Sequence, residues 1–153
     1  MNGRTPGPRT YAENAVKRLF QDSRNVREFL ALTGAAEAEL LDLDRMQLQP
    51  TSYVTEELRK RETDIVLEAP VRPEIVPQEV DGLTVYILVE HQSRSDTWMP
   101  LRVSDYVIQL FKAQQRLHPE RRKLFPVLPI VLHTGKRRWR SPGQLADRVV
   151  LGA

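Results

Sequence analysis

The chain contains no cysteine. That excludes a disulfide framework and a thiolate metal centre, and it suits a reducing, cytoplasmic compartment. Histidine is nearly as scarce: the 3 residues, His91, His118 and His133, stand at spacings that match no imidazole metal motif. No apolar run approaches the roughly 20 residues of a membrane helix, so no membrane partner is expected. Residues 1–8 are polar and rich in Gly and Pro, unlike a secretory leader, and are expected to be disordered. Glycine is limited to 7 positions. The Gly135-Lys136 pair is not a phosphate loop, because Ile130 stands where that motif needs its first glycine. Ser93, Ser95 and Ser104 have no His and Asp arranged around them as a hydrolase triad would.

What is present reads as one globular domain over residues 9–153. Apolar residues make up 41% and charged residues 28% of 153, enough for a sizeable core. The net charge of +3 is unevenly spread, with 11 Lys/Arg against 3 Asp/Glu in residues 101–153 and 12 against 17 in residues 1–100. A basic C-terminal third suits a polyanion partner, and a solvated basic face is the alternative. The runs Arg59-Lys60-Arg61, Arg121-Arg122-Lys123 and Lys136-Arg137-Arg138-Trp139-Arg140 are phosphate-contact candidates. Such contacts give salt-dependent affinity without base information. Trp139 either stacks on a base or covers the core.

Hydrophobic spacing organises the rest. Tyr11 to Gln21 reads as a helix with Ala15, Val16, Leu19 and Phe20 on one stripe. Asp22-Ser23 caps a second helix, with Val26, Phe29, Leu30 and Leu32 inward and Gly34 as its stop. Met46 to Val54 contains Pro50 and is at best a short edge strand. Thr63 to Ala69 and Leu83 to His91 are core strands. Thr97 to Leu117 is a helix with Asp96 as N-cap, Pro100 in its first turn and Val103, Val107, Leu110 and Phe111 as core stripe. Val127 to His133 is a short apolar strand, and Pro129 within it suits an edge or a bulge. Strand, strand, helix, strand with flanking helices makes a mixed α/β sandwich.

The two core strands carry acid at awkward places. Leu88-Val89 leads straight into Glu90, with Gln92 on the same strand face. An ionised carboxylate ending an apolar strand is costly unless something positive meets it. A divalent metal shared with Asp64 would meet it, and so would Arg59 or Arg61. Pairing Asp64 with Glu90 in an antiparallel ladder centres the connection near Pro77. That requires a loop longer than the roughly two to five residues of a hairpin. Pro70, Pro73 and Pro77 suit such a loop. Closure at Asp81-Gly82 would instead set Asp64 opposite Met99.

Asp on one strand and Glu-x-Gln on the next resembles the PD-(D/E)XK nuclease pattern, Asp then Glu-x-Lys. Leu43-Asp44, Pro50-Thr51-Ser52-Tyr53-Val54, Val89-Glu90-His91-Gln92-Ser93, Trp98-Met99-Pro100-Leu101-Arg102 and Pro129-Ile130-Val131-Leu132-His133 extend the likeness. Across roughly residues 14 to 145 the chain resembles the Rpn family of recombination-promoting nucleases, also labelled transposases. The resemblance implies a PD-(D/E)XK-like mixed β-sheet flanked by helices and a metal-dependent DNA endonuclease associated with recombination or transposition. Asp64 and Glu90 would hold Mg²⁺ or Mn²⁺. Gln92, where the family often carries a catalytic Lys, would position water or phosphate. Glu13 is a possible additional acid, because Ala12-Glu13 stand where family members have His-Asp. A solvated helix-end Glu is the alternative. Arg59, Lys60, Arg61, Lys136, Arg137, Arg138 and Arg140 would contact DNA. A homodimer is suggested by the need to cut two strands. A second reading is a catalytically inactive DNA-binding or assembly module, or a truncated transposase remnant.

Overall fold

The computed structural model describes residues 8–34, 36–49, 65–76 and 84–149. Its elements are α1 (Pro8–Leu19), α2 (Ser23–Thr33), β1 (Gln47–Gln49), β2 (Ile65–Pro70), β3 (Thr84–Gln92), α3 (Met99–Leu117) and β4 (Val127–His133). Short 3-10 turns span Ala36–Leu40, Leu43–Arg45 and Leu145–Arg148.

Local chemistry accounts for the helix ends. The Asp22 side chain caps α2 by accepting from the Arg24 backbone N–H at 2.9 Å. Gly34 ends α2 at φ 65°, a left-handed conformation in which its N–H bonds back to the Ala31 carbonyl. Val26 and Leu30 are buried, and Phe29 meets Phe20 of the α1 end edge-on at 4.8 Å. Leu32 was expected inward but is 86% exposed. Two residues on from Leu30 is about 200° around the helix, so the two cannot share a face. The α1 stripe narrows likewise: Val16 and Phe20 are buried, while Ala15 and Leu19 are exposed.

Helix α3 starts at Met99, later than expected, with Pro100 in its first turn. The N-cap is Trp98 and not Asp96 as expected; Asp96 lies just before it, where it accepts from the Trp98 N–H at 2.8 Å and pairs with Arg102 at 2.6 Å. The buried face is turned from the expected stripe. Tyr106, Leu110, Ala113 and Gln114 are buried, and Val103, Val107 and Phe111 are half-buried. Gln114 pairs with the backbone of Phe125 in both directions, donating to its carbonyl at 3.1 Å and accepting from its N–H at 2.7 Å. This satisfies a polar side chain that burial would otherwise penalise and holds the segment entering β4.

The strands form one mixed sheet in the order β1-β2-β3-β4. The β1/β2 and β2/β3 pairs are antiparallel, and β3/β4 is parallel across α3. Pro129 lies on the edge strand, as its missing N–H requires. Ile65 pairs with Val89 and Pro70 with Thr84, which is the long-loop register and not closure at Asp81-Gly82. Alternation sorts the core onto two faces. Ile65, Leu67, Ala69, Ile87 and Val89 pack with Val16, Phe20, Val26 and Leu30 of α1, the α1–α2 turn and α2. Val66 and Tyr86 pack with Tyr106 and Leu110 of α3. The result is an α/β fold with helices flanking a four-stranded mixed sheet, consistent with a PD-(D/E)XK-like fold. No described helix is long and apolar enough to cross a membrane.

Candidate functional site

Strands β3 and β4 end together: Gln92 is paired with His133, and Glu90 with Val131. Position 90 follows Val89, the partner of Ile65. Asp64, which precedes Ile65, lies outside the described residues, as do Arg59, Lys60 and Arg61. Glu13 falls within α1 and Glu90 within β3, each described in backbone only. Among the described residues no group of three His, Asp or Glu side chains could hold a metal. The fit of a metal therefore turns on donor chemistry. Asp64, Glu90 and the Gln92 amide offer only oxygen of the kind that Mg²⁺ or Mn²⁺ prefers, and two carboxylates suffice for an ion that keeps several waters. Glu68 lies further along β2. It is half-buried and accepts from Gln49 Nε2 at 2.6 Å, so it is engaged with β1.

Directly beyond Gln92 opens a cleft of about 940 Å³. It is lined by Ser93, Arg94 and Ser95 after β3 and by His133 with the basic residues that follow β4. Lys136, Arg137, Arg138 and Arg140 all line it, so the sequence-predicted phosphate contacts after β4 converge there. The run Arg121-Arg122-Lys123 does not. It precedes β4 and so sits at the opposite end of that strand, where Arg121 covers the Phe125 ring at 4.4 Å.

The basic segment is anchored. The Thr134 N–H donates to the Gln92 carbonyl at 2.9 Å, and the Arg140 N–H donates to Ser95 Oγ at 2.9 Å. Ser141 Oγ donates to the Asp96 carbonyl, and Arg148 Nε donates to that of Thr97 at 3.1 Å. The His133 ring sits between two carbonyls, with Nδ1 3.2 Å from that of Gln92 and Nε2 2.7 Å from that of Arg137. Trp139 packs against the His133 ring at 5.2 Å, so its partner within the chain is this imidazole. At Gly135 the backbone runs against β3, and a Cβ would overlap the Ser93 carbonyl oxygen and crowd the His133 ring. Sequence reading missed Arg94, His133 and Gly135 as parts of the site. Gly135, two residues past the end of β4, was the one available signal.

The family described as "Putative transposase, YhgA-like" matches residues 12–152. Recombination-promoting nuclease RpnD of Escherichia coli O157:H7 is 35% identical over 99 residues, which cover 65% of this chain and 35% of RpnD. Recombination-promoting nuclease RpnC of Escherichia coli K12 is 28% identical over 131 residues, or 84% of this chain and 41% of RpnC. "Putative inactive recombination-promoting nuclease-like protein YjiP", also of strain K12, is 40% identical over 68 residues, or 44% of this chain and 59% of YjiP. The aligned part thus spans 35% to 59% of the length of these curated relatives. No solved structure matches. With an acid-bearing strand end beside a basic cleft, and a family match over nearly its whole length, the chain belongs to the YhgA-like transposase family that includes the Rpn recombination-promoting nucleases.

Proposed function

We propose that the chain is a metal-dependent DNA endonuclease domain that hydrolyses phosphodiester bonds in recombination or transposition. The observation that carries this is the β2/β3 register, in which Ile65 faces Val89. One further step of that ladder would set Asp64 opposite Glu90, and opposed side chains leave an antiparallel pair on the same side. Asp64 and Glu90 would then hold Mg²⁺ or Mn²⁺. When bound, such an ion supplies a water of lowered pKa and neutralises charge on the phosphate oxygens. Gln92 is neutral, so it can orient a water or a phosphate oxygen but cannot add the positive charge of a lysine. The cations of the adjoining cleft hold the DNA backbone beside this strand end, and Glu13 is a candidate outer acid.

The test is plasmid nicking with Mg²⁺, Mn²⁺ or EDTA, comparing the parent chain with Asp64→Ala and Glu90→Ala. Nicking by the parent with a divalent ion, lost in both variants while their melting curves are retained, is expected. Equal cutting by Asp64→Ala would refute the assignment. A second reading is favoured by the name of YjiP, which calls that relative inactive. It makes the domain a DNA-binding or assembly module, and binding without cutting under every metal would support it.

A further inference from the structure

The cleft beyond Gln92 brings together Arg94, Lys136, Arg137, Arg138 and Arg140. Among the described residues no Asp or Glu lines it. Among the described ion pairs none involves these cations. Like charges held together repel, and a freely solvated run would relieve that by spreading. Here the backbone that carries them is held in place. The segment is tied to β3 and the β3–α3 loop through Thr134, Arg140 and Ser141, and Gly135 lets it approach Ser93 closely. The arrangement is therefore prepared for an anion with several charges in a row.

The cleft's size narrows the ligand further. Its cations come from two parts of the chain, Arg94 from the β3–α3 loop and the others from the segment after β4. About 940 Å³ is room for a few linked nucleotides and far too little for a turn of duplex. One backbone can enter; a paired second strand must remain outside. We infer that the cleft takes the phosphate backbone of a single DNA strand, held by Arg94 together with Lys136, Arg137, Arg138 and Arg140. Naming the strand as DNA rests on the nuclease reading above; the grip on a phosphodiester chain does not. The grip carries no base recognition, because all its charged contacts are to phosphate.

The experiment measures binding of the full chain to a fluorescent single-stranded DNA oligonucleotide and to its duplex, in EDTA, across a series of salt concentrations. A single strand meeting all these cations should show a slope of log K against log salt of up to about −3.5, at roughly −0.7 per neutralised phosphate. Arg94→Ala should make that slope shallower by about 0.7, and Arg94→Lys should restore it. The single strand should bind more tightly than the duplex. An unchanged slope in Arg94→Ala overturns the inference, as does tighter duplex binding. Nicking with Mg²⁺ is scored separately. Strand binding through Arg94 without nicking sinks the nuclease reading and leaves the cleft assignment standing, whereas nicking that persists with an Arg94-independent slope does the reverse.

Discussion

Gln92 and His133 are register partners at the ends of two parallel strands, and His133 Nδ1 lies 3.2 Å from the Gln92 carbonyl oxygen. His133, which lines the basic cleft, thereby meets the Gln92 backbone, and under the nuclease reading proposed above the Gln92 side chain stands where the resemblance implies a lysine. Replacing Gln92 with Lys alters only the side chain and adds a cation two residues from Glu90. Gln92→Lys should cut at least as fast as the parent in Mg²⁺, with an unaltered fold by circular dichroism. Complete loss of nicking in a folded Gln92→Lys protein would remove Gln92 from the proposed chemistry.

Gly135→Ala is expected to disturb the cleft. The added methyl meets backbone, the Ser93 carbonyl, which cannot turn aside as a side-chain tip can. Overpacking of this kind costs roughly 1–3 kcal/mol. For a domain of this size each kcal/mol lowers Tm by about 2–4 °C. A lower Tm together with weaker oligonucleotide binding is the expected outcome. A melting curve that superimposes on the parent's would show that the loop is free to move away.

Gln114→Leu tests the buried amide. The substitution keeps an apolar fit against α3's neighbours but strips partners from the Phe125 N–H and carbonyl. Leaving buried polar groups unpaired costs roughly 1–3 kcal/mol each. Urea denaturation should show a reduced midpoint with an unchanged m-value. Stability equal to the parent's would mean water reaches the Phe125 backbone readily.

The α2 cap is predicted to depend on pH. The hydrogen bond from the Arg24 side chain, helped by the Arg24 backbone N–H, holds the Asp22 carboxyl below its ordinary value of 3.8. A folded-state pKa lowered in this way stabilises the fold above the unfolded value. That contribution is lost as pH falls through the folded value. Asp22→Ala should therefore melt below the parent at neutral pH, and the gap should close in acid below about pH 4. Both groups are on the surface, so the gap is small and is reduced further by salt. A gap that widens in acid would contradict the assignment.

Much of the fold was legible because it depends on local patterns. Asp22 and Gly34 mark α2 by capping and by a left-handed φ, and Pro129 marks β4 as an edge. Buried faces were less legible, because spacing shows that a stripe exists but not how the helix is turned. Leu32 and Leu19 are as apolar as Leu30, yet they lie off the face that meets the sheet. Gln114 reads as a solvent residue until its partner, eleven residues away in the loop before β4, is seen. Among the candidate site residues, those after β4 could be picked out as a charge run. Arg94 carries no such mark, being a lone cation next to serines.

By itself the sequence determined the family, the order of helices and strands, and the acid and amide at the end of β3, because each is written in contiguous or regularly spaced residues. The tertiary structure alone decided the β2/β3 register, the parallel placement of β4, and the gathering of Arg94 with Lys136–Arg140 around one cleft. These are long-range pairings. They depend on which strand edges meet and on whether a glycine lets two backbones touch, and neither is encoded in the spacing of neighbouring residues.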